Sequence, residues 1–192
     1  MNEERVLAWH FLPEDGRLRY GPRTKVAIGE TLSADGPIMI CNNGMHASVR
    51  AIDALTYAPG PVICRVEVWG ELASQEYKIA GRHRLCLAKA DATNVLHEFA
   101  CLCAERALRT AKVEDRIYWE TIETKRKWLR GEATDDQLSA ARSAARSAAW
   151  SAAESAAESA AWSAAWLAAE SAQNEDLERL LLELLATTSH GA

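Results

Sequence analysis

The chain lacks an excess of basic residues and any long apolar run. Of its 192 residues, 22 are Lys or Arg and 27 are Asp or Glu, and this balance argues against nucleic-acid binding by neutralisation of phosphates. No apolar run approaches the roughly 18 residues that span a bilayer, and the polar, acidic start is unlike a signal peptide. We therefore expect a cytoplasmic protein that binds neither membranes nor nucleic acid directly.

Signatures of metal and cofactor binding are missing as well. The sequence has no phosphate-binding glycine loop, no dinucleotide fingerprint and no nucleophile elbow. Its five cysteines are odd in number and lie in apolar runs, which is typical of unpaired thiols in a reducing compartment. No spacing suits a metal site, so we expect no metal and no cofactor. The absence of strong catalytic motifs favours a protein that is not an enzyme.

The composition divides the chain unequally. Hydrophobic residues make up 48% of the chain, but many are alanines in the C-terminal third, which bury little surface. Residues 134–192 contain three basic and nine acidic side chains, whereas residues 1–133 are nearly neutral. We predict an α+β protein in three parts: a small mixed or antiparallel β head (1–90), two amphipathic helices that pack on it (91–131), and a helical segment (132–188).

Period-two alternation and turn residues predict the strands of the head. The segment 62–69 alternates most clearly and has one fully apolar face. Ser48 is a candidate N-cap for a short helix over 49–57. Other extended segments are predicted at 6–12, 38–41, 77–80 and 84–88.

The spacing of apolar residues becomes helical after residue 91. Apolar residues recur every three to four positions through about residue 110 and again over 113–130. Residues 139–172 then repeat a Ser-Ala-Ala-X tetrad without Gly or Pro, which predicts one helix of about 35–40 residues. After residues 173–174 we expect a separate short helix, 175–185, with its leucines on one side.

The large residues of this repeat are candidate partner-binding side chains. A step of four residues advances about 400° around a helix, so these residues form a shallow spiral on an Ala/Ser surface. Trp is enriched at binding hot spots, which favours a docking helix. One alternative is that the tryptophans pack on the protein's own helices, and another is a homodimer through the 134–188 helices. The residues concerned are Arg142, Arg146, Trp150, Glu154, Glu158, Trp162 and Trp166.

A second candidate site lies in the head. His46 follows a predicted strand and precedes a predicted helix, a junction where functional residues are common. His10 lies in the first strand, Tyr57 ends the short helix and Glu67 lies in the clearest strand. Convergence of these four would form a catalytic or nucleotide-binding cleft. The alternative is that the histidines are structural and Glu67 is solvated.

Several motifs, taken in order, resemble a family of phage and prophage proteins that is common in actinobacterial phages. Members carry Gly, then Leu, Met or Phe, then His-Ala and Ser or Cys, and many end in alanine-rich tails. The resemblance covers about residues 6–90 and implies no established activity. It is carried by residues 8–11 (Ala-Trp-His-Phe), 35–38 (Asp-Gly-Pro-Ile), 43–48 (Asn-Gly-Met-His-Ala-Ser), 53–60 and 63–67 (Ile-Cys-Arg-Val-Glu).

This resemblance implies an accessory protein that binds a host protein complex in the host cytoplasm, with an anti-defence role such as anti-CRISPR inhibition. A more distant similarity is to small ADP-ribosyltransferase-like domains, which pair a first-strand His with a His-containing step before a helix. His10 and His46 match these positions. That similarity implies an alternative, a domain that handles nucleotides or NAD. A homo-oligomeric structural protein is the third alternative.

Overall fold

The computed structural model describes residues 4–153 and 162–189. It places a five-stranded antiparallel sheet in the N-terminal part and helices in the C-terminal half, which confirms the predicted α+β class. The strands are β1 (Val6–Leu12), β2 (Thr31–Ser33), β3 (Met45–Ala47), β4 (Val62–Gln75) and β5 (Lys78–Asp91). The helices are α1 (Ala51–Thr56), α2 (Thr93–Thr110), α3 (Arg116–Leu129), α4 (Asp135–Ala153) and α5 (Trp162–Ser189).

The described residues fall into two compact units. The head unit contains residues 4–93 together with 173–189, and the helical unit contains residues 94–153 together with 162–172. This grouping differs from the three-part division predicted at 90 and 131, because the end of the chain belongs with the head.

The sheet is organised around β4 and β5, which pair as one long hairpin. Each strand has 14 residues, and only residues 76–77 separate them. β1 pairs with β4, while β2 and β3 pair with successive parts of β5. At the register shift in the hairpin, a Cβ added to Gly81 would lie 2.4 Å from Cγ1 of Val68. The strands approach so closely there that only glycine fits.

The end of β3 also reaches β1. Trp9 and Ser48 exchange two backbone hydrogen bonds of 2.8 and 3.0 Å, so β1, β4, β5 and β3 close into a ring. The main core lies on one face of this ring, to which β4 contributes alternate apolar residues. Its buried members are Ala8, Leu12, Val26, Ala47, Val62, Cys64, Val66, Val68 and Cys86.

Two local predictions in the head were wrong. Residues 38–41 form a turn rather than a strand, and the amides of Asn42 and Asn43 donate to the carbonyl of Met39 at 3.1 and 2.9 Å. Ser48 does not cap α1, because its backbone is paired with Trp9. The helix begins after Arg50, which provides no side-chain cap.

The cap of α1 comes from the distant helix α5. The Ala51 amide donates to Glu178 Oε1 and the Ile52 amide donates to Asn174 Oδ1, both at 3.1 Å. These two side chains therefore satisfy amides that a helix leaves unpaired at its start. The predicted break at 173–174 was wrong, since α5 continues through it and Asn174 bonds another helix instead of its own backbone.

One side of α5 is buried within the head unit. Leu177 and Leu181 have no exposed surface, Leu185 has little, and their spacing places them on the same helical face as Asn174 and Glu178. The Glu178 charge opposes the burial that lowers the pKa of Arg65. Arg65 lies on the sheet face opposite the main core, with its guanidinium 4.2 Å from the ring centroid of Trp9. Residues 173–185 thus belong to the core of the head.

The helical unit is held by an ion-pair network and by packing of α3 with α4. Arg126 binds Glu98 at 2.8 Å and also pairs with Glu105, and these carboxylates raise its pKa. Between α3 and α4, the Thr121 hydroxyl donates to the Ala141 carbonyl at 3.2 Å. No helix in the described part of the chain is long and apolar enough to cross a membrane.

The cap from α5 predicts a long-range stability effect. Replacing both Asn174 and Glu178 by Ala leaves two amides of α1 without acceptors, and we expect the free energy of unfolding to fall by about 1–3 kcal/mol. Urea unfolding followed by circular dichroism measures the change. Glu175→Gln alters an exposed neighbour on α5 and should shift the midpoint little. Equal effects in the two proteins would show that the cap contributes nothing.

Candidate functional site

The most unusual side chain of the head is a buried arginine without a carboxylate partner. Arg84 lies on β5 opposite Val68, and only 4% of its surface is exposed. Its Nη1 donates to the backbone carbonyl of His46 at 2.6 Å. Among the described residues no carboxylate lies within ion-pair distance of it. Burial lowers the pKa of Arg84 to about 10, so the guanidinium remains charged at neutral pH.

His10 stands beside this charge. It lies on β1 opposite Cys64 and, by strand alternation, on the same face as the buried Ala8 and Leu12. Its side chain is mostly buried and keeps a small exposed surface. Burial, followed by the charges of Arg84 and His46, lowers the pKa of His10 well below its ordinary value. The imidazole is therefore neutral at pH 7.

His46 is the second imidazole of the cluster and lies in β3. Its Nε2 accepts a hydrogen bond from the Cys41 amide at 3.1 Å. Burial is the main cause that lowers its pKa, the charges of Lys78 and Arg84 act in the same direction, and a hydrogen bond at the Gly44 backbone opposes them. The ring is neutral at pH 7, and protonation of Nε2 would break its bond to Cys41.

Lys78 connects this cluster to an exposed aromatic ring. Its Nζ lies 2.7 Å from Sγ of Cys41 and 4.7 Å from the ring centroid of Tyr57. The bond to Cys41 raises the pKa of Lys78, which keeps the amine protonated. Tyr57 itself is 48% exposed. The predicted residues His10 and His46 are thus neighbours, and Tyr57 adjoins them through Lys78.

Glu67 does not join the cluster. It alternates with Val66 and Val68 on β4, whose side chains lie in the main core, so Glu67 projects from the opposite face. There it forms an ion pair of 2.9 Å with Arg5. The predicted convergence of four residues therefore reduces to three, and the residue that the sequence analysis missed is Arg84. Alternation with Cys86 places a charge on an apolar strand face, but Arg82 shares that alternation and is paired with Glu71, so only burial distinguishes Arg84.

The cluster is chemically suited to an anion. It offers a guanidinium, an ammonium group and two imidazoles, with no carboxylate among them. The nearby thiols of Cys64 and Cys86 share a hydrogen bond, which together with burial raises the pKa of Cys64. Among residues 4–153 and 162–189, no group of His, Cys, Asp and Glu side chains could hold a metal ion.

The proposed partner-binding residues of the repeat are only partly described. Arg142 and Arg146 are exposed on α4. Glu154 and Glu158 lie outside the described residues. Trp150 lies in α4 and both Trp162 and Trp166 lie in α5, but their side chains are also outside the described part. The docking-helix interpretation therefore stays a prediction.

Comparison with known proteins found one family model that matches part of the chain. Residues 14–98 match the family model of a domain of unknown function (DUF7666). The matched stretch contains His46, Tyr57 and Arg84, and it begins after His10. No curated protein matches the chain, and no solved structure matches it.

The two histidines predict that acid destabilises the head. Their pKa values in the folded protein lie below the ordinary value of about 6.5, so the unfolded chain binds more protons between these values. Stability should therefore fall as the pH drops below about 6.5, by at most about 1.4 kcal/mol per pH unit for each histidine, less what solvent screens at partly exposed rings.

Urea unfolding at pH 7.5 and 5.5 measures this loss. The pKa of His97 in the helical unit is lowered as well. Comparison of the wild type with His10→Gln therefore isolates the contribution of His10 to the pH dependence. We expect a smaller pH dependence in His10→Gln. The same pH dependence in both proteins would contradict a lowered pKa at His10.

Proposed function

We propose that the head binds a small phosphorylated ligand of the nucleotide type at the cluster of Arg84, His10 and His46. The observation that carries this proposal is the buried Arg84 guanidinium without a carboxylate partner. An uncompensated buried charge costs several kcal/mol of stability, and such costs are concentrated at functional sites. A bound phosphate would supply the missing counterion, and the planar guanidinium can bind two of its oxygens at once.

The two imidazoles extend this binding chemistry. A neutral imidazole can donate one hydrogen bond to a phosphate oxygen. A bound dianion also favours protonation of His10, because opposite charges raise the pKa of a histidine. Binding should then take up a proton and become tighter as the pH falls from 8 to 6.

Tyr57 and Lys78 favour a nucleotide over inorganic phosphate. Tyr57 presents an exposed ring on which a nucleobase can stack, and the Lys78 ammonium group provides a further charge for a phosphate. This agrees with the alternative drawn from the similarity to ADP-ribosyltransferase-like domains. The proposal concerns binding and assigns no reaction.

Arg84→Gln separates binding from folding. We expect 10 mM AMP to raise the melting temperature of the wild type by at least about 2 °C, and Arg84→Gln to abolish this rise. Removing an uncompensated charge should leave the unliganded protein at least as stable, apart from the loss of the hydrogen bond to the His46 carbonyl. Differential scanning fluorimetry at pH 6 and 8, with AMP and with inorganic phosphate, measures both effects.

Arg82→Gln is the matched control. Arg82 lies on the same strand but pairs with Glu71 at 2.5 Å, so its replacement should cost stability while the response to AMP remains. If AMP does not stabilise the wild type and Arg84→Gln unfolds the head, Arg84 is a structural residue and the proposal fails.

A second candidate function, inhibition of a host defence complex by protein binding, is favoured by the exposure of Arg142 and Arg146 on α4. Neither side chain has a carboxylate partner among the described residues. We expect Arg142→Glu with Arg146→Glu to release a host protein that the wild type captures, as measured by affinity purification from phage-infected cells.

The control for that experiment is Arg116→Glu, which reverses an exposed charge on α3. Deletion of residues 134–192 is unsuitable, because it removes the buried leucines of α5 from the head. Equal capture by the wild type and the double variant would contradict this function.

A further inference from the structure

Residues 15–25 form an exposed projection that we call the basic finger. Its two sides pair where the Leu18 amide donates to the Thr24 carbonyl at 2.9 Å, and its tip holds Gly21 at φ +75 followed by Pro22. The base is anchored, because Val26 is 3% exposed in the main core and Leu18 packs against that core. The finger is therefore a fixed part of the head with a projecting tip.

The finger concentrates positive charge in an otherwise acidic chain. It carries four cations and one carboxylate within eleven residues, whereas the whole chain has a net charge of −5. The carboxylate, Asp15, binds Arg23 at 2.6 Å. Arg19 and Lys25 are exposed and have no carboxylate partner among the described residues. At least two cations are thus free to bind an external anion.

An aromatic side chain stands among these cations. Tyr20 is 76% exposed, and the Arg19 guanidinium lies 5.2 Å from its ring centroid. Arg19 and Arg23 also line a shallow depression that is open to solvent. The remaining lining residues are Pro13, Ala58 and Pro59.

We infer that the basic finger binds single-stranded nucleic acid. Cations that follow a phosphate backbone, combined with an exposed ring on which a base stacks, are the two elements of single-strand binding. An acidic protein segment would use the cations but has no need of the exposed ring. The expectation from net charge excluded nucleic acid, but the local charge of the finger is opposite in sign. None of these residues belongs to the Arg84 cluster, so the inference is independent of the proposed function.

Fluorescence anisotropy with a fluorescein-labelled 15-mer of thymidine nucleotides tests the inference. We expect saturable binding at 50 mM NaCl, with Kd rising about 20-fold at 200 mM if three phosphates are neutralised. Tyr20→Ala should raise Kd at least about fivefold at both salt concentrations, whereas Tyr20→Phe keeps the ring and should bind like the wild type. Arg19→Ala with Lys25→Ala should raise Kd and weaken its salt dependence.

Two control variants show whether a loss of oligonucleotide affinity comes from the finger itself. Arg116→Ala removes an exposed cation outside the finger and should change Kd less than twofold. Arg84→Gln should leave oligonucleotide binding intact, so failure here is distinguishable from failure of the proposed nucleotide site. All variants are compared at equal folded fraction by circular dichroism.

Three results would overturn the inference. One is no saturable binding at 50 mM NaCl, and another is an equal loss in Tyr20→Ala and Tyr20→Phe. The third is tighter binding to polyglutamate, or to vesicles of anionic phosphatidylserine, than to the oligonucleotide.

Discussion

The pairing of β4 with β5 is the constraint on which the head depends. Each of these strands offers its second edge to other parts of the chain, so β1 arrives on one side and β2 and β3 on the other. The bond between Trp9 and Ser48 then closes the ring. Because the ring is closed, His10 on β1 and His46 on β3 come close to Arg84 on β5, although 74 residues separate the first from the last of them in sequence.

The return of α5 to the head is the second long-range requirement. A helix of six residues is too short to be stable by itself, and α1 has no cap from its own sequence. Asn174 and Glu178 supply that cap, while Leu177 and Leu181 bury their side chains completely. The head is therefore built from both ends of the described chain, which explains why the leucine stripe needs no second protein to cover it.

The sequence predicts regular elements better than it predicts contacts between them. Alternation in 62–69 identified β4, and helical spacing identified α2 and α3, because each signal is local. The turn at 38–41 was missed because a short apolar run has no period of its own. The cap on α1 was also missed, since nothing near residue 48 indicates that Asn174, more than 120 residues away, takes the place of Ser48.

The candidate site shows the same limit. His10 and His46 could be selected by type and by position at the ends of predicted elements, and the structure brings them together. Glu67 was selected by type alone, and strand alternation turns it to the other face. Arg84 was passed over because an arginine in a strand is usually solvated. Only its burial and the absence of a carboxylate beside it distinguish it from Arg82, two residues earlier, which is paired.

Net charge is a poor guide to partners in this chain, because its cations lie in different environments, some buried and some exposed. Arg84 is almost fully buried on β5, with 4% of its surface exposed. The cations of the basic finger are exposed and surround a tyrosine, an arrangement that suits an extended polyanion and gives little specificity for a small one. The surplus of acidic residues lies in the C-terminal third, and among the described residues none of them forms an ion pair with Arg84 or with the cations of the finger. The two cationic features therefore differ in burial, and the two ligands that we propose for them differ in size rather than in the sign of their charge.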